Sequence, residues 1–389
     1  MIMSTAIQFD PLRLPPECEE LRAEVREFVR EEIAAGTFDP NTTPMGNGLN
    51  RKFARKVGER GWIGMTWPKQ FGGQERSFLE RYVVTEEFRA VAAPTRVFFT
   101  ADRQSGPTII KYGNEEMKAH ILPRIIKGEC MFCIGMSEPN SGSDLFAASC
   151  RATKTNGGWL INGSKVWTSG AHHADYMIGL FRTSQPTEKN RRHGLTNFVV
   201  DMKNTDGITC RPILHPTGIY EFNEVVFEDA FVPDDMMLGT LDDAWKQATS
   251  ELAYERSGPE RFLETFYILP ELVDMLGEKP DTRGAEGIGR LVAQVHTLRR
   301  MSVSVNGMLH AGKEPVVEGS LVKDLGTKWE QDLPAKVRNL AAFVDPDAGN
   351  RTNFDELMRF ATMIAPKLTI QGGTTEVLRG IIARGLGLR

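Results

Sequence analysis

The stretch Gly157–Gly170, GGWLINGSKVWTSG, decides how the fold is read. Trp, Leu, Ile and Val gather in short runs on either side of Asn162-Gly163. β-Branched and aromatic residues broken by an Asn-Gly pair are a strong local sign of a hairpin. Downstream, TNFVVDM (196–202), GITCRPI (207–213) and NEVVFEDAFVP (223–233) read as further short strands between turn residues. So many strands within about a hundred residues predict a barrel or sandwich over 131–238.

Outward from this block the period changes. In CEELRAEVREFVREEI (18–33), Leu21, Val25, Phe28, Val29 and Ile33 share one face at helical spacing. NEEMKAHILPRIIKGE (114–129) opens with a capping residue, Asn114, and acidic first-turn residues. The basic cluster Arg51, Lys52, Arg55 and Lys56 reads as the solvated face of another helix. After about residue 240 the helical period returns, interrupted by an irregular, glycine-rich stretch, GEKPDTRGAEGIG (277–289), and TSQPTEKNRRHG (183–194) reads as a surface loop. The expected class is α+β, mainly α. The expected segments are helical 1–130, strand-rich 131–238 and helical 239–389.

Composition narrows the function. The 389 residues are 41% hydrophobic and 25% charged, with a net charge of −4, which supports a large core and gives no basic footprint for nucleic acid. The first residues carry no basic region followed by an apolar run, and no stretch has the length to span a bilayer, so a cytoplasmic protein is expected. Cys130 and Cys133 form a C-x-x-C, but inside an apolar, strand-like run and without a second Cys or His pair. Buried thiols are therefore expected there, and no metal. His172 and His173, being adjacent, are expected on opposite faces.

Four stretches can carry chemistry; one, SKVWTSG (164–170), puts an aromatic plane next to two hydroxyls, a pattern as often core as cofactor. In WKQATSELAYERSGPERFLETF (245–266), read as one helix, Ala248, Leu252, Glu255, Pro259, Phe262 and Phe266 form a stripe on which Glu255 is the one charged group. A carboxylate on an apolar stripe suits a general base working near neutral pH, and equally a buried ion pair. Gly258-Pro259 would kink or end the helix beside it. MSEPNSGSDL (136–145) offers hydroxyls and loop N–H groups. LTIQGGTTEVLRG (368–380) leads two glycines into a helix start, where close backbone approach and unpaired N–H donors coincide.

Together YGNEEMKAHILPRIIKGE, IGMSEPNSGSDLFA, INGSKVWTSGAHHADY and IQGGTTEVLRGIIARGLGL resemble the acyl-CoA dehydrogenase family across nearly the whole chain. The resemblance implies an N-terminal helical domain, a middle β-barrel and a C-terminal four-helix bundle. It also implies FAD, with Met136, Ser137 and Ser143 on its ring and pyrophosphate. Trp167 would pack on the ring, Ser169 would lie near the reactive nitrogen, and Thr374 and Glu376 would contact the cofactor at the last helix. The chemistry implied is loss of an α-proton from an acyl-CoA, with hydride transfer from the β-carbon to flavin and electrons passed on to an electron-transfer flavoprotein. Many members place their glutamate base where Gly372 stands; its backbone N–H remains as an oxyanion donor. A minority supply the base from a Glu-Arg pair, matched here by Glu255-Arg256, with Arg256 near the CoA end of the substrate.

Two departures stand out. The family's Arg-x-x-Phe-Gly element is replaced by PDTRGAEGIGR, with Arg283 its equivalent, and its Gln-x-x-Gly-Gly segment is missing near FVDPDAGNRTNF. Both touch a neighbouring subunit's FAD in the family. The alternatives to a homotetramer are thus an α2β2 assembly with a related subunit, or a subunit that completes a partner's site. A flavin monooxygenase or acyl-CoA oxidase on the same fold is the other enzyme reading.

Overall fold

The computed structural model describes residues 7–43, 47–188, 190–244, 256–344 and 351–388. The chain divides into two compact units. One comprises 49–75 and 95–251; the other comprises 1–48, 76–94 and 252–389.

The first unit is built on an eight-stranded sheet. Its strands are β1 (Phe132–Gly135), β2 (Arg151–Thr155), β3 (Gly158–Lys165), β4 (Tyr176–Arg182), β5 (Leu195–Asp201), β6 (Ile208–Leu214), β7 (Tyr220–Pro233) and β8 (Met237–Leu238). They run in the order β6-β7-β3-β2-β4-β5-β8, with β1 added parallel to β4. Trp159, Ile161, Phe181, Phe198, Val225 and Phe227 pack as the core of the sheet. Helices α2 (Arg51–Glu59), α4 (Arg96–Thr100), α5 (Gly106–Tyr112) and α6 (Glu115–Ile126) belong to the same unit. Asn114 caps α6 as its sequence suggests, its Oδ1 accepting from Met117 N at 2.7 Å.

The hairpin expected at Asn162-Gly163 is not there. β3 continues through both residues, and the turn falls at Asn156-Gly157, where Gly157 has φ +74°. Both Asn-Gly pairs carry the same local signal; a long-range partner chooses between them. Asn162 exchanges hydrogen bonds with Asp229, in its Nδ2 to Asp229 Oδ1 (2.8 Å) and Asp229 N to Asn162 Oδ1 (3.0 Å). There the β3–β7 register shifts at a bulge, with Asp229 at φ +50°.

The second unit is helical. It holds α1 (Pro16–Ala34) and α3 (Phe78–Ala90), then α7 (Ile268–Leu276), α8 (Thr282–His310), α9 (Val316–Ala341), α10 (Arg351–Leu368) and α11 (Thr375–Gly385). Leu21, Val25, Phe28 and Val29 of α1 are buried, as their spacing requires. Phe262, Leu272, Leu291, Trp329, Leu333, Phe354 and Ala361 join the later helices in one core. The stretch 277–289 is less irregular than its glycines suggest. α8 starts at Thr282 behind an Asp281 cap, whose carboxylate accepts from Gly284 N at 2.7 Å. A long helix already nucleated by its cap and packed on neighbours tolerates the ~1 kcal/mol that each glycine costs.

The single helix expected over 245–266 is also not what forms. Residues 245–255, Glu255 among them, lie outside the described residues. Past them Gly258 is extended, and Pro259–Arg261 is a short 3-10 turn. The proline breaks the helical pattern, as its fixed φ and missing N–H dictate. No described helix is long and apolar enough to cross a membrane.

Candidate functional site

Two sets of predicted residues are brought together, one in each unit. In the strand-rich unit the segment after β3 carries Trp167, Thr168 and Ser169. Trp167 has φ +60° and is 59% exposed. A left-handed conformation costs a bulky L-residue roughly 1–2 kcal/mol, so such a residue persists only where its surroundings impose it.

The surroundings are a buried polar network. Asn223, fully buried on β7, donates from Nδ2 to the Thr168 carbonyl at 2.9 Å. The main chains of the two residues exchange both bonds, Thr168 N to Asn223 O at 3.0 Å and Asn223 N to Thr168 O at 3.1 Å. Asn223 Oδ1 accepts from the Tyr220 hydroxyl at 2.5 Å and lies 3.1 Å from His172 Nδ1. His172 stacks on Tyr220 with centroids 3.7 Å apart, and the His173 ring lies 4.0 Å away. The two histidines are therefore neighbours rather than on opposite faces. With its peptide held on one side, the Trp167 ring meets Phe222 edge-on at 6.0 Å and keeps its remaining surface open.

The loop 136–145 is fixed just as firmly. Lys165, at the end of β3, is fully buried and donates to Glu138 Oε1 at 2.7 Å. Glu138 also accepts from Ser149 N (2.6 Å), Ser149 Oγ (3.0 Å) and Cys150 N (3.0 Å). Burial works against both charges. The neighbouring ammonium and the N–H donors nevertheless hold the Glu138 carboxyl below the usual range, whereas desolvation pulls the Lys165 ammonium down. The Ser137 carbonyl accepts from Val166 N at 2.8 Å, tying the loop to the Trp167 segment. Met136 packs its side chain against Ala148, Leu180, Leu195 and Ala244, whereas Ser143 is exposed.

In the helical unit Gly372 and Gly373 adopt φ +67° and +103° just before α11. Thr374 caps that helix, its Oγ1 accepting from Val377 N at 3.4 Å. Glu376 is exposed, its carboxyl lowered by its own backbone N–H at the helix start and by the Thr374 hydroxyl. Arg256 is buried, donating from Nε to the Gly372 carbonyl at 3.4 Å and from Nη1 to Ser320 Oγ at 3.2 Å. Lys323 Nζ donates to the Gly373 carbonyl at 2.8 Å. Arg283 lies elsewhere, in the first turn of α8, with its guanidinium 4.1 Å from the Phe343 ring.

Several readings are thereby sharpened. Cys130 and Cys133 are buried thiols, and burial pushes Cys130 up to about 12 and Cys133 higher still. Arg51 is not merely solvated: it donates to Asp175 Oδ2 at 3.1 Å. Four residues that organise the two sets, Glu138, Lys165, Asn223 and Lys323, were not anticipated. A signal existed for Lys165, which shares the inward parity of Trp159 and Ile161 along β3.

The strand-rich set suits a flavin. A planar ring can stack on the open Trp167 face. Thr168 Oγ1 is buried, without a hydrogen-bond partner among the described residues, and Ser169 is exposed, so the Ser169 hydroxyl stands ready for a ring-edge hydrogen bond. Gly142, within the 136–145 loop, has open space where a Cβ would sit.

The model of the acyl-CoA dehydrogenase N-terminal domain matches residues 15–129, and that of the acyl-CoA dehydrogenase middle domain matches 133–230. Acyl-CoA dehydrogenase IpdE1 of Mycobacterium tuberculosis is 30% identical over 387 residues, covering 96% of this chain and 98% of its own. Acyl-CoA dehydrogenase FadE34 of the same organism is 31% identical over 366 residues, or 92% of this chain. This chain spans only 48% of FadE34, about half its length. Among solved structures, the Tcur3481-Tcur3483 steroid ACAD is 27% identical with a TM-score of 0.80, covering 97% of this chain and 98% of that one. The chain belongs to the acyl-CoA dehydrogenase family and is an oxidoreductase of that type.

Proposed function

We propose that the chain is an FAD-dependent acyl-CoA dehydrogenase that forms a 2,3-enoyl-CoA, with electrons leaving to an electron-transfer flavoprotein. The observation that carries this reading is Trp167, held left-handed and open, with the exposed Ser169 close by in the chain. Such a surface costs folding energy and offers an aromatic plane with a hydroxyl donor near it.

Bound FAD supplies the two-electron oxidant. Met136, Ser137, Ser143, Trp167 and Ser169 are assigned to its ring and pyrophosphate, and Thr374 and Glu376 to its contacts at the last helix. Arg283 is assigned to a neighbouring subunit's cofactor. Glu255 is assigned the α-proton. Its carboxylate accepts that proton while the Gly372 N–H donates to the thioester oxygen, on which negative charge grows. Arg256 acts next to this turn, toward the CoA end of the substrate. A positioned base contributes typically 10²–10⁴-fold, so Glu255→Gln should lower anaerobic flavin reduction by about that factor and leave FAD content unchanged. The experiment is anaerobic bleaching of purified chain with straight, branched and steroid-type acyl-CoAs. Equal bleaching by the wild type and Glu255→Gln would remove the assignment of the base.

The assembly is proposed to be α2β2 with a related subunit, and the acyl group to be bulky. The altered Arg283 region and the missing Gln-x-x-Gly-Gly segment support the first, and the similarity to a two-component steroid ACAD supports both. Purification as a homotetramer with one FAD per chain would exclude the heteromer.

A further inference from the structure

Gly372 and Gly373 form the softest backbone in the candidate site. Two consecutive glycines at positive φ have no side chain to hold them, and each loses more freedom on ordering than any other residue. Both carbonyls are nevertheless taken by buried cations. Arg256 Nε reaches Gly372 O at 3.4 Å, and Lys323 Nζ reaches Gly373 O at 2.8 Å.

One face of α9 supplies both supports. Ser320 Oγ donates to Val316 O at 2.7 Å and accepts from Arg256 Nη1, and Lys323 follows three residues later, on the same side of the helix. Lys323 is fully buried. An ammonium out of water is expensive, and a hydrophobic side chain of similar length is often as good or better for stability. Its position on a glycine carbonyl gives it a task other than packing.

Peptide geometry defines that task. In a planar trans peptide the N–H points opposite to the C=O. Holding the Gly372 carbonyl therefore orients the Gly373 N–H, and holding the Gly373 carbonyl orients the Thr374 N–H, both away from the cations. A cation on each carbonyl also polarises its peptide, strengthening the N–H as a donor.

We propose that Lys323 is a positioning residue for the acyl-CoA reaction: it locks the Gly372–Thr374 turn, which carries the Gly372 N–H at its start, so that this donor meets the developing negative charge without the turn reorganising. This deepens the dehydrogenase reading and rests on it for the reaction, though not for the turn. The test uses the full-length, FAD-loaded chain carrying Lys323→Met or Lys323→Arg.

Amide hydrogen exchange over 370–376 reads the turn directly. In the Met variant the Gly373 and Thr374 amides should exchange about tenfold faster, with protection largely restored in the Arg variant and Tm close to wild type. The kcat should fall roughly 10²-fold in the Met variant, as for loss of an oxyanion donor, with KM within about twofold. Unchanged exchange in Lys323→Met overturns the proposal whatever the activity, and so does a KM rise at constant kcat. If the wild type reduces no flavin with any acyl-CoA, the dehydrogenase reading fails while the exchange result still judges the lock. Should the Met variant not fold, Ser320→Ala removes a support of Arg256 from the same helix face. Faster exchange of the same amides is then expected, and unchanged exchange would again contradict the lock.

Discussion

The Trp167 segment and the Gly372–Thr374 turn solve one problem in opposite ways. Each presents backbone in left-handed conformations. At Trp167 the strain falls on a large side chain and is imposed by a network that closes on itself: Asn223 on the Thr168 peptide, and Lys165 on Glu138. At the glycines there is no steric strain to impose, only entropy to remove, and cations on the carbonyls remove it. Strained aromatic surface has to be forced into place by paired groups. Permissive backbone has only to be held, and here a side-chain donor sits on each carbonyl.

This contrast can be broken most sharply at the ion pair. Glu138→Ala leaves Lys165 buried without its carboxylate and frees the Ser149 and Cys150 N–H groups. The expected loss is about 3–5 kcal/mol, with flavin lost alongside, read by urea unfolding and FAD absorbance. A loss under about 1 kcal/mol would mean that the pair does not hold the 136–145 loop.

Trp167→Gly tests the strain itself. Glycine accepts φ +60° freely, so relief of roughly 1–2 kcal/mol offsets the lost edge contact with Phe222 and the added chain entropy. Stability should stay within about 1 kcal/mol of wild type while flavin affinity falls by tenfold or more. Equal losses in both would make Trp167 a packing residue.

The smallest expected effect on flavin lies away from both sets and sharpens them as a control. Glu330 on α9 is buried and accepts from Glu264 N; burial, then the neighbouring Glu264 carboxylate, raise it from 4.5 to about 8. Between those values the folded chain holds a proton that the unfolded chain has released. Folding stability is therefore lost as pH rises from about 4.5 to about 8. Glu330→Gln should flatten this slope, with a gain in Tm of a few degrees at pH 8 and little change at pH 4.5. Flavin affinity should not change. A Tm gain independent of pH would contradict the buried-proton account.

How much of this the sequence shows follows from the range of each cause. The α6 cap is legible because Asn114 acts on Met117, three residues away. The change from helical to strand period is legible because it is a local rhythm. The hairpin is misplaced because Asn156-Gly157 and Asn162-Gly163 look alike until Asp229, far along the chain, takes Asn162. Glycine-rich 282–289 is helical because a cap and distant packing outweigh propensity. Within the candidate site, Trp167, Ser169 and Thr374 stand in recognisable segments. Glu138, Asn223 and Lys323 do not, since a charge or amide on an inward face looks like any surface residue until its partner is known.

The most direct test of the central claim is an anaerobic single turnover with the product identified by mass spectrometry. The chain, with its partner subunit if one co-purifies, is mixed with the acyl-CoA that bleaches its flavin. The account predicts one 2,3-enoyl-CoA, two hydrogens lighter than the substrate, for each flavin reduced, formed about 10²–10⁴-fold more slowly with Glu255→Gln. Bleaching without enoyl-CoA, or a product gaining oxygen once air is admitted, would contradict it.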